Sequence, residues 1–78
     1  MRPRIEEDTE LMGTTVYWDT DAGRQSGVVK EIIKGKVTRV LHGSEVYRHG
    51  KPQDPVLFIT QPDGKDVLKL RSEVDLQE

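Results

Sequence analysis

No apolar run in this chain is long enough to make a core helix. Its hydrophobic residues gather in five brief stretches, at residues 14–18, 26–33, 36–42, 56–60 and 66–70, each ended by glycine, proline or polar turn-formers. A core helix needs about ten to twelve residues of sustained 3.6-residue periodicity, whereas strands of four to eight residues bounded by turn signals suit these runs. The chain is therefore constrained to a small all-β fold.

The individual runs agree. Thr14-Thr15-Val16-Tyr17-Trp18 is β-branched and aromatic, with Val16 and Trp18 on one side of a strand. Asp19-Thr20-Asp21-Ala22-Gly23 is a turn sequence. In residues 26–33 the doublets Val28-Val29 and Ile32-Ile33 lie four apart, a spacing that also suits a short helix. Gly27, Gly35 and the β-branched content favour a strand in which a bulge switches the facing of alternate residues. Lys34-Gly35 then reads as a tight turn, making residues 30–39 a hairpin, with Val37, Arg39 and Leu41 on one face of the next strand and Val40 on the other. Residues 43–55 are polar, hold Gly43, Gly50, Pro52 and Pro55, and read as one long connection. Gln61-Pro62-Asp63-Gly64-Lys65 is the plainest turn signal: proline presets φ and glycine accepts a positive one. Arg71-Ser72-Glu73-Val74 reads as a single helical turn, with Ser72 as its cap.

Five short strands and almost no helix must bury one face of a strongly bent sheet. In a chain of 78 residues, of which 33% are hydrophobic, the economical solution is one small, partly open five-stranded barrel of the SH3 type. Trp18 is expected at its centre, ringed by Val16, Val29, Leu57, Ile59 and Leu68. Residues 1–10 are polar, charged and without periodicity, which predicts a disordered tail ahead of a domain over residues 11–78.

With the strands placed, an ordered series of motifs stands out: Gly13-x-x-Val16-x-Trp18, Ser26-Gly27-x-Val29, Asp54-Pro55-x-Leu57-x-Ile59 and Arg71-Ser72-Glu73-Val74. The series resembles the small Tudor-like domain of the hypervirulence-associated protein family over roughly residues 11–76. The resemblance implies an SH3-like barrel with Leu57 and Ile59 inward and Phe58 outward. It carries over neither a catalytic residue nor a defined ligand.

The residues themselves argue against catalysis. With no cysteine, disulfides, thiolate zinc sites and a cysteine nucleophile are excluded. His42 and His49 are the only imidazoles, and their spacing on a strand end and a loop matches no metal motif. The serines lack an activating context, the carboxylates lie in turns and tails, and the glycines stand singly rather than in a phosphate loop. The chain is accordingly read as a non-enzymatic binding or accessory module without metal or cofactor. The absence of cysteine and of any long apolar segment predicts a cytoplasmic, unanchored setting, and a monomer is expected.

Two surfaces are candidates for a partner. Tyr17 and Phe58, if their strands adjoin, make an exposed aromatic patch, to which Tyr47, Arg48 and His49 of the long connection add; this favours a protein or peptide ligand. The net charge is −2, yet residues 24–51 carry seven Lys and Arg against only Glu31 and Glu45. Lys30, Lys34, Lys36 and Arg39 of the expected hairpin form a basic patch, and the alternative is weak, salt-dependent nucleic-acid binding there. A free edge strand offers a peptide a third route.

Overall fold

The computed structural model describes residues 11–77. The tail expected over residues 1–10 lies outside them. Six strands follow in order: β1 (Thr15–Thr20), β2 (Gly23–Ile33), β3 (Lys36–Leu41), β4 (Ser44–His49), β5 (Val56–Thr60) and β6 (Asp66–Leu70), then a 3-10 turn at Arg71–Glu73. All pairings are antiparallel, in a four-stranded sheet of order β1-β2-β5-β6 and a two-stranded sheet of β3 and β4. The chain then closes the larger sheet on itself. After the 3-10 turn, Asp75 donates to and accepts from the Tyr17 backbone at 2.7 and 2.9 Å, pairing with the outer side of β1. The result is a small all-β barrel, as expected.

Several local expectations need correction. The strands number six, not five, because Ser44–His49 inside the expected long connection is itself a strand. It is joined to β3 by a two-residue His42-Gly43 turn with φ of +55° and +83°, the mirror-image turn whose twist suits a hairpin. Residues 30–39 are not a hairpin: β2 runs on to pair Ile33 with Val56, so Lys34-Gly35 is a bend between two sheets and β3 takes β4 as its partner. Ser72 does not cap the last turn. Its N–H and hydroxyl both donate to the Asp54 carboxylate at 2.8 Å, which ties that turn to the loop before β5.

The bulge in β2 is present, between Val29 and Glu31. It keeps Val29 and Ile32 on one face although they stand three apart, and both pack in the main core. That core comprises Leu11, Val16, Trp18, Val29, Leu57, Ile59 and Val74, with Ile32 and Val67 against it; Trp18 is 4% exposed. Leu57 and Ile59 are fully buried, while Phe58 looks the other way. Leu68 is buried but not beside Trp18. It stands opposite Phe58 in the β5–β6 register, on the reverse face with Val56, and Val67 takes the place expected of it. The sheet thus has two apolar sides, one filled by Trp18 and the other lying beneath the β3–β4 sheet.

Gly27 shows how tightly the main core is built. A Cβ there would collide with Ile59 Cγ2 and sit 2.9 Å from the Thr60 carbonyl oxygen, so no other residue permits β2 to lie this close to β5.

Candidate interaction surface

Alternation along β3 and β4 sorts their side chains into two sets. Val37, Arg39, Leu41, Val46 and Arg48 are half-buried on the side toward β5 and β6, whereas Lys36, Thr38, Val40, Glu45, Tyr47 and His49 are exposed. The inward set fastens the small sheet to the large one. Arg39 pairs with Glu31 at 2.8 Å and lies over the Phe58 ring, 5.1 Å from its centroid. Arg48 donates to the Leu68 carbonyl at 3.3 Å and to the Glu73 carboxylate at 2.8 Å. The His42 ring lies 3.2 Å from the Asp66 carbonyl oxygen.

These contacts leave their mark on the charges. The Arg39 hydrogen bond holds the Glu31 carboxyl below its ordinary value, and Glu31 in turn raises Arg39. At Glu73 partial burial pushes upward, but the Leu70 N–H and Arg48 outweigh it and the net shift is down. Across the barrel, Arg24 is raised by its bonds to Asp75 and Asp19.

The candidate residues are therefore dispersed. Tyr17 and Phe58 do not adjoin, because β2 separates their strands and they lie at different levels along it, Tyr17 at Ser26 and Phe58 at Glu31. Phe58 is stacked under Arg39 and faces the small sheet rather than solvent. Arg48 points inward, away from Tyr47 and His49, which do share the exposed face. No ring cage forms among the described residues, since Trp18 is in the core with Lys69 Nζ 5.9 Å from its ring centroid. In the basic set Arg39 is engaged, Lys30 lies on β2, and Lys34 and Lys36 flank the bend.

Two features escaped the sequence. Val40 is 72% exposed and Tyr47 55%, and they lie diagonally across the β3–β4 register, with Thr38 directly opposite Tyr47. The sign of this patch was the His42-Gly43 turn, which makes β4 a strand and fixes Tyr47 on Val40's face. On the large sheet an open depression of about 460 Å³ is lined by Thr15, Ser26, Val28, Lys30, Thr60 and Gln61 among others. Most of the surface it exposes is apolar, with Val28 and Pro62 among its walls.

Among the described residues no helix is long and apolar enough to cross a membrane, and no cluster of His, Asp and Glu is arranged to hold a metal ion. Comparison with curated proteins and with solved structures gives no match. The family model described as the hypervirulence-associated proteins TUDOR domain matches residues 13–74. Tudor-like domains are generally non-catalytic binding folds whose ligands are proteins or nucleic acids. The motif residues do structural work here: Val16, Trp18 and Val29 fill the core, Gly27 admits Ile59, and Asp54 and Pro55 hold the Arg71–Glu73 turn through Ser72 and the Arg71 N–H. By its sequence match and its fold alike, the chain belongs to the hypervirulence-associated protein Tudor domain family.

Proposed function

We propose that this chain is a non-enzymatic interaction module whose ligand is a protein or peptide, received on the exposed face of the β3–β4 sheet. The observation that supports this is the joint exposure of Val40 and Tyr47 on a two-stranded sheet whose other face is committed to the barrel. An aromatic and a β-branched side chain set side by side in water favour a partner, and a tyrosine adds a rigid apolar ring with a polar tip. The basic patch serves less well as the main surface, because Arg39 is held by Glu31 and Phe58.

The experiment is selection from a random peptide display library against the chain, followed by amide chemical-shift mapping of the selected peptides. The shifts should concentrate on residues 36–49, and Tyr47→Ala with Val40→Ser should abolish binding without moving the melting temperature. Ligands that shift Thr15, Ser26 and Thr60 instead, or that bind the double variant unchanged, would refute the reading.

A further inference from the structure

The strand edges of the barrel are unequally occupied. The outer side of β1 is taken by Asp75, and on the outer side of β6 the Asp66 and Leu68 carbonyls meet His42 and Arg48. β4 lies against β6. Among the described residues β3 is paired with β4 and with no other strand.

The register says which backbone groups this leaves over. The Gly50 N–H donates to the Gly35 carbonyl at 2.9 Å, one step before the Lys36–His49 pair. Bonded and non-bonded pairs alternate along an antiparallel ladder. Val37, Arg39 and Leu41 therefore direct their N–H and C=O groups to β4, while those of Lys36, Thr38 and Val40 point away from it. These same three residues put their side chains on the exposed face.

We propose that β3 receives an extended peptide segment as an added antiparallel strand, with an apolar, then a β-branched, then an acidic residue at alternate positions of that segment. The inference rests on the interaction reading above and names its ligand. A residue opposite Val40 packs against it as a cross-strand neighbour, extends the apolar patch that Val40 shares with Tyr47, and is apolar. A residue opposite Thr38 is threonine or valine. The residue opposite Lys36 meets the Lys36 ammonium, with Lys51 one residue beyond Gly50 at the same end of the sheet. Neither Lys36 nor Lys51 has an ion pair among the described residues, and a carboxylate supplies one. Antiparallel pairing fixes the order, because the ligand passes Val40 first and Lys36 last.

Charge complementarity selects this occupant over a second copy of β3. Two antiparallel copies centred on Thr38 would set each Lys36 against the other's Val40 and leave both ammonium groups without a carboxylate. A lysine on an edge also discourages such self-pairing.

The test uses the full chain and a fluorescein-labelled peptide of sequence Gly-Ser-Leu-Gln-Thr-Gln-Glu-Gly-Ser, followed by fluorescence anisotropy. Saturable binding is expected. Exchanging Leu and Glu should weaken it about threefold or more, the scale of cross-strand pair preferences. N-methylation of the peptide's Thr amide, which faces β3, should weaken it about tenfold, whereas N-methylation of a Gln amide, which faces away, should cost far less. Thr38→Pro removes the matching donor without touching the β3–β4 ladder and should abolish binding at an unchanged melting temperature. Should that variant fail to fold, the two N-methylated peptides decide alone.

Equal binding of the Thr-methylated peptide overturns strand addition; if Tyr47→Ala then abolishes binding, the face reading survives and only the edge is lost. No binding of the patterned peptide, while display-selected peptides do bind, likewise overturns this inference alone. Self-association that Thr38→Pro abolishes, seen by sedimentation, overturns it in favour of a second copy. Displacement of the peptide by a single-stranded oligonucleotide that binds more tightly overturns it in favour of nucleic acid.

Discussion

Trp18 is the residue on which the barrel depends most. It brings the largest ring in the chain to the face where β1, β2, β5 and the segment after the 3-10 turn converge, and Lys69 covers it from the side. Truncating such a side chain removes its transfer free energy and leaves a cavity that the surrounding strands fill only in part. Trp18→Ala should cost about 3–5 kcal/mol. A domain this small has a total stability of only about 5–10 kcal/mol, so the variant should melt far below the parent or not fold. Thermal circular dichroism checks this, and a melt within a few degrees of the parent would contradict the core described here. Leu68 teaches a different lesson at the same scale. Its neighbours Val67 and Leu70 are also apolar, so alternation alone did not say which of them faces Trp18; the β5–β6 register decides it.

Among the elements, the β3–β4 sheet is the least secured. It shares no strand ladder with the rest of the barrel and is held by inward side chains, chiefly Arg48 and Arg39. Arg48 serves two acceptors at once, a carbonyl and a carboxylate. Arg48→Ala should cost about 1–2 kcal/mol, since hydrogen bonds to charged groups contribute about 1.5–3 kcal/mol and partial exposure reduces this. Amide hydrogen exchange should rise first in residues 36–49, with β1, β2 and β5 still protected; a uniform rise would show that the two sheets open together. This element was also the hardest to foresee. β1, β5 and β6 are legible because their apolar residues lie between unmistakable turns, and the β2 bulge is legible from its doublets. β4 is not, since Val46 is its one aliphatic residue and the glycines at both its ends resemble loop punctuation. Lys34-Gly35 looked like a hairpin turn, but Gly35 does not adopt a positive φ and the chain merely bends there. Of the candidate surface, Tyr47 and His49 were legible as residues but their shared face was not, because it exists only once β4 is a strand.

At the scale of the whole molecule, acid should loosen the join between the sheets. Glu31 and Glu73 titrate below their ordinary value of 4.5 in the folded protein. A carboxyl depressed by folding contributes stability above its unfolded value, and that contribution is lost as pH falls through the folded one. The melting temperature should therefore stay level from pH 7 to about 5 on account of these groups, then decline below about 4.5. Both pairs are partly open to solvent, so the effect is modest and shrinks in high salt. Glu31→Gln with Glu73→Gln should lower the melting temperature at neutral pH and flatten the acid limb. An acid limb unchanged in that double variant would assign the loss to other carboxylates.

The pairing of Asp75 with Tyr17 has a consequence of another kind. Leu11 and Val74 share one hydrophobic cluster, so the chain enters and leaves the barrel on the same side. Such an arrangement suits splicing into a surface loop of a host protein, because the host's chain need not be stretched to receive it. The β3–β4 face, joined to the barrel through β6 and Glu31, would then be carried as a portable recognition patch.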